Sequence, residues 1–129
     1  MRVLSFLLMI GGLTLAAIAP SQAQQLIESY QALLSERDHF NSSGQRLTTA
    51  AAVIRQDRAN FHRFGKGDPE DEVDRYFGDM DNRAALEALI ERGASERRAI
   101  SRIVNGTVLV RVEVYRGPRG PFVNVLILD

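Results

Sequence analysis

Two histidines, sixteen acidic side chains and no cysteine bound the chemistry open to this chain. Without sulfur there is no disulfide framework, no Cys-ligated zinc or iron–sulfur site and no thiol nucleophile. The constellation that stands out is Asp57 with His62. Leu47, Ala50, Ile54, Asp57, Phe61 and Phe64 follow one another at steps of three and four, which on a helix places the Asp57 carboxylate on the apolar seam. A carboxylate there must be paired or hydrogen-bonded, because burying it alone is costly. One reading makes Asp57 structural, held at the rim of the core by an arginine or by backbone N–H groups. The other makes Asp57 and His62 an acid–base pair of a small hydrolase or metal-dependent enzyme.

A second set of candidates is electrostatic. The chain has no formal net charge, yet residues 66–81 carry −5 and residues 82–120 carry +4. The acidic stretch contains Asp68, Glu70, Asp71, Asp74, Asp79 and Asp81, enough oxygen donors for a calcium-stabilised accessory protein. It lacks the spaced D-x-[DN]-x-[DN]-G loop, and helix-capping positions account for most of these acids. No cofactor is expected. Apart from Lys66 every basic residue is arginine, which suits bidentate contacts with carboxylates or phosphates. Nucleic acid is not an expected partner, since there is neither a net positive field nor a basic surface interleaved with aromatics. No serine sits in a G-x-S-x-G turn and no histidines have H-E-x-x-H spacing.

The elements that must position these residues follow from period and punctuation. Residues 1–23 combine Arg2, an apolar run from Val3 to Ala19, Pro20 and Ser21-Gln22-Ala23. That pattern predicts a secretory signal peptide cleaved after Ala23, the alternative being an uncleaved membrane anchor. Residues 24–129 are then a single α+β domain, exported to a bacterial periplasm or secreted, with membrane contact only through the leader before cleavage. Leu26, Ile27, Tyr30, Leu33 and Leu34 predict a helix through about Arg37. Further helical patterns cover about 45–64, Pro69–Phe77 behind an Asp68 cap, Asn82–Arg92 and Glu96 to about Val104.

Near the C-terminus the period falls to two. Three to four short amphipathic helices are therefore followed by an antiparallel β-hairpin, residues about 107–115 and 122–128. A register pairing Val114 with Val123, Val112 with Val125 and Val110 with Ile127 gathers the branched side chains on one face, to be covered by helices. The opposite face presents Leu109, Tyr115, Phe122, Leu126 and Leu128, too apolar for a solvated surface. Two free edges and this face predict a third strand from a second copy or a protein partner, with a strand within residues 38–48 as the alternative. The function this favours is a non-enzymatic protein-interaction module, acting through its hairpin on a protein partner or as a homodimer.

The run Arg55-Gln56-Asp57-Arg58-Ala59-Asn60-Phe61-His62-Arg63-Phe64, followed by Asp68-Pro69-Glu70-Asp71, resembles small exported bacterial proteins of an uncharacterised family. The resemblance covers the mature chain loosely and this stretch most closely. It implies export and no particular activity.

Overall fold

The structure, a computed structural model, describes residues 24–128. The leader expected over residues 1–23 lies outside the described residues, as does Asp129. Among the described residues no helix is long and apolar enough to cross a membrane.

The valine-rich hairpin forms as its period requires. Strands β2 (Val108–Gly117) and β3 (Gly120–Ile127) pair with Val114 opposite Val123, Val112 opposite Val125 and Val110 opposite Ile127. Pro118 and Arg119 make the turn, and Gly120 leaves it at φ 104°, a backbone conformation that favours glycine. A hairpin alone is marginal in water; here it gains a third strand and a roof.

The third strand comes from the chain itself. Residues Gln25–Leu34 form β1, not the helix that apolar steps of three and four suggest, and the sheet order is β1-β2-β3, all antiparallel. Tyr30, Ala32 and Leu34 also alternate, and they pair with Val112, Val110 and Val108. The physical reason is the edge of β2. Its unpaired N–H and C=O groups and buried valines are satisfied only by another extended segment, which outweighs a local helical preference. A register shift between Leu26 and Glu28 leaves Ile27 as a bulge. The third strand expected from a second copy is thus supplied internally, and residues 38–48 contribute only the isolated bridge Phe40–Arg46.

Helices α1 (Ala50–His62), α2 (Met80–Ala84), α3 (Leu86–Arg92) and α4 (Arg97–Asn105) lie on the valine side. Val53, Ile54, Phe77, Leu86, Leu89 and Ile103 are buried there against Tyr30, Leu34 and the valines. Each such side chain contributes roughly 1.5–3 kcal/mol of burial. The Thr49 hydroxyl caps α1 by accepting from the Ala52 N–H at 3.1 Å. The helix expected over Asn82–Arg92 begins instead at Met80, where the Asp79 carboxylate accepts from Asp81 and Asn82, and it is interrupted at Ala85.

Residues Pro69–Phe77 are not helical except for a single turn at Tyr76–Gly78. Their acids are used along β1 instead. Asp71 accepts from the Leu33 N–H at 2.9 Å, Glu72 accepts from the Gln31 N–H at 3.0 Å, and the Glu72 N–H donates to the Gln31 carbonyl at 2.9 Å. The outer edge of β1 at Gln31 and Leu33 is therefore covered by its own chain.

The edge of β3 is treated likewise. The Leu128 N–H reaches the Leu109 carbonyl, so even-numbered residues of β3 turn their main-chain groups toward β2 and odd-numbered ones turn outward. Of the latter, the Val125 N–H donates to Ser95 Oγ at 2.9 Å, and Gly93 lies so close to the Val123 carbonyl that a Cβ would collide with it.

Candidate functional site

Two regions carry the residues that could do chemistry or make contacts: a buried charged centre beside α1 and the outer face of the sheet.

The charged centre is built around Arg58, which is fully buried. Its Nε donates to Asp57 Oδ2 at 2.7 Å. Nη1 donates to Asp74 Oδ1 at 2.8 Å and to the Glu72 carbonyl at 3.2 Å. Nη2 lies 3.4 Å from Asp71 Oδ2 in an ion pair. The guanidinium plane sits between the Tyr30 and Phe61 rings, 4.5 and 4.6 Å from their centroids, an arrangement favourable to a desolvated cation. Asp74 is held further by the Phe77 N–H at 2.7 Å. One arginine on α1 thus ties the irregular acidic segment to the helix and to β1.

Asp57 and His62, paired in the sequence reading, have different partners. Asp57 is bound by Arg58, whereas His62 Nε2 meets Asp74 Oδ1 at 2.7 Å. The Asp57 carboxyl has almost no access to solvent, at 1% exposure, so a substrate has no path to it without rearrangement.

The acidic candidates are also divided. Asp68 converges with Asp57 and with Asp38, one carboxylate oxygen from each lying within 4.8 Å of the others. Asp71 and Asp74 belong to the Arg58 pairings, Glu70 is exposed and Asp79 caps α2. Asp81, also exposed, lies in the first turn of α2. Asp38 was not singled out by sequence. It accepts from the Asn60 amide at 2.8 Å and from the Ser35 N–H at 2.9 Å, while Ser35 Oγ lies 2.7 Å from Asp68 Oδ2. The Ser35-x-x-Asp38 spacing is a capping signature that could have marked it.

Electrostatics follow from crowding and burial. Burial pushes the Asp57 carboxyl well above the usual carboxylate range, against the opposing pull of Arg58. Asp38 is raised by burial in spite of its hydrogen bonds from Asn60 and Ser35, and Asp71 is raised by burial in spite of those from Leu33 and Asp68. Burial, the largest single influence, disfavours the Arg58 cation, but the charge of Asp57 together with the hydrogen bonds to Asp57 and Asp74 outweighs it and holds the guanidinium charged. The chemical result is a cluster that locks three chain segments together.

Nearby, His39 bridges the turn Glu36–His39 to α4. Its Nδ1 lies 2.8 Å from the Ser35 carbonyl and its Nε2 2.7 Å from the Ile103 carbonyl. Both partners are acceptors, so only the doubly protonated ring donates to both.

The outer face of the sheet consists of four cross-strand rows. The first is Leu33, Leu109 and Leu128; the second is Gln31, Arg111 and Leu126. Ser29, Glu113 and Asn124 make the third, and Leu26, Tyr115 and Phe122 the fourth. Leu126 and Leu128 are 44% and 41% exposed. Phe122 departs from an exposed position: its ring stacks on Tyr115 at 5.2 Å and it is largely buried. The Tyr115 hydroxyl donates to Glu113 at 2.8 Å. A groove of about 390 Å³ runs from this face past the edge of β3 to α4, lined in part by Arg98, Ala99, Asn124, Leu126 and Ile127.

Comparison of the chain with protein-family models, with curated proteins and with solved structures finds no match.

Proposed function

We propose that this protein is an exported, non-enzymatic interaction module whose contact surface is the outer face of its three-stranded sheet. One observation carries the reading: apolar rows close both ends of a face that no helix roofs among the described residues, with Leu126 and Leu128 at 44% and 41% exposure. Monomeric proteins seldom leave a contiguous apolar patch open without using it. The middle of each outer edge is occupied by the chain's own residues, at Gln31 and Leu33 of β1 and at Val123 and Val125 of β3, which favours the face over an added strand as the contact surface. The buried acids, by contrast, are spent on Arg58, Ser35, Asn60 and main-chain N–H groups, which supports a structural role for Asp57. Export rests on the leader pattern of residues 1–23 and on the resemblance to small exported bacterial proteins; an N-terminal sequence beginning at Gln24 in the mature protein checks it.

The contact surface is tested by placing a photo-reactive benzophenone side chain at Leu126 and, as a control, at Glu87 on the helical side. Irradiation in exporting cells should give a discrete crosslinked product from position 126 and none from position 87. Equal labelling at both positions, or none at either, overturns the reading.

A further inference from the structure

We infer that the occupant of this face is a second copy of the same chain, packed about a two-fold axis that runs across the strands between Arg111 and Glu113. The inference rests on the proposed contact surface and names its partner. It comes from the order of the rows: apolar, cation-bearing, anion-bearing, apolar. Arg111 and Glu113 share the face of the central strand, and neither forms an ion pair among the described residues. Arg111 has only the Ser29 hydroxyl at 3.3 Å and Glu113 only the Tyr115 hydroxyl. Among the described residues the face thus displays one charge of each sign, two residues apart, neither held in an ion pair.

A two-fold contact must be self-complementary. An axis along the strands would lay Arg111 on Arg111 and Glu113 on Glu113. An axis across the strands reverses the row order, so the second row meets the third and the first meets the fourth. Arg111 then faces Glu113 of the other copy, twice, while Leu109 lies over Tyr115 and Leu128 over Phe122. Strands of the two sheets stay aligned, as packed sheets prefer, and the two copies form a six-stranded sandwich. The area argues for a modest affinity. Three strands of this length present a face of about 33 by about 14 Å, less than the roughly 800 Å² per partner of a standard stable interface. The association is therefore micromolar and reversible.

Analytical ultracentrifugation of the purified protein from about 1 to about 500 µM tests it, a range that brackets micromolar dissociation. The wild type should shift from monomer to dimer mass. Arg111→Glu and Glu113→Arg should each remain monomeric, the double variant should dimerise again, and an equimolar mixture of the two single variants should form a heterodimer. That last result requires each charge to face the other across the axis. If either reversal unfolds the chain, Arg111→Gln and Glu113→Gln replace the pair, and each should weaken the dimer at least tenfold. A wild type that stays monomeric throughout, single reversals that dimerise like the wild type, or a mixture that fails to associate overturns the inference. Crosslinking from position 126 to a product other than twice the chain mass would leave the contact surface standing and remove only the second copy.

Discussion

The Arg58 centre and the outer sheet face both place charge next to apolar surface, and they handle it in opposite ways. Around Arg58, Asp57 and Asp74 lie within 2.8 Å of the guanidinium and Asp71 at 3.4 Å, and Asp71 and Asp74 accept further hydrogen bonds from the Leu33, Asp68 and Phe77 main-chain N–H groups. On the outer face, Arg111 and Glu113 stand two residues apart and hydrogen-bond only to neutral hydroxyls among the described residues. A region whose charges are already paired within the chain is architecture, because a partner could only break what is already made, although Arg58 Nη2 and the Tyr30 hydroxyl are buried there without a hydrogen bond among the described residues. A region left with unpaired charge and open leucines has something to gain from contact.

The comparison can be broken most forcefully at Arg58. Arg58→Met removes the cation from among buried carboxylates and should cost about 3–5 kcal/mol in denaturant unfolding, the usual penalty for orphaning buried charge. Arg111→Glu should change monomer stability by less than about 1 kcal/mol, because it breaks no buried pair. Comparable losses at both sites would erase the distinction.

Next in size is the covered edge of β3. Gly93→Ala forces a methyl group against the Val123 carbonyl and should lower stability by about 1–3 kcal/mol through overpacking. The same variant frees the edge, so aggregation on heating should increase; a melt as reversible as that of the wild type would show that the edge needs no guard.

The buried carboxyls around Arg58 also give stability a dependence on pH. Asp57, Asp38 and Asp71 hold their protons more tightly folded than unfolded. Their contribution is complete below the unfolded value of about 4 and is lost as pH rises through the raised folded values. The urea midpoint should therefore fall as pH rises above about 4, and Asp57→Asn, which cannot ionise, should flatten that slope. A midpoint that rises with pH over the same interval contradicts the assignment.

Smallest is Leu126→Lys. Its side chain is already half in water, so unfolding of the dilute monomer should change by no more than about 0.5 kcal/mol. Sedimentation at high concentration should nonetheless lose its dimer component.

How much of this was legible beforehand differs by element. The hairpin register could be written down from Val108 to Ile127 because a period of two leaves one pairing that gathers every branched side chain on a single face. The segment Leu26–Leu34 could not, since Leu26, Tyr30, Leu33 and Leu34 fit a helical stripe while Tyr30, Ala32 and Leu34 fit a strand. The anomaly at Asp57 was visible from its seam position. Its partner was less so, because Arg58 is adjacent in sequence and projects from a different angle of the helix. Asp38 and Asn60 come from separate segments, and no spacing along the chain joins them.

Local order was written into the chain wherever one periodicity excluded the others: the valine ribbon, the helical stripes of α1 and α4, the cap at Asp79. Tertiary structure decided the matters that depend on distant groups needing one another. It drew Gln25–Leu34 into an extended form to complete β2, laid Asp71 and Glu72 along that strand instead of into a helix, and set three carboxylates around one guanidinium. The reason is common to all three. A main-chain edge or a buried charge is satisfied by whatever segment can reach it, and reach is a property of the folded chain.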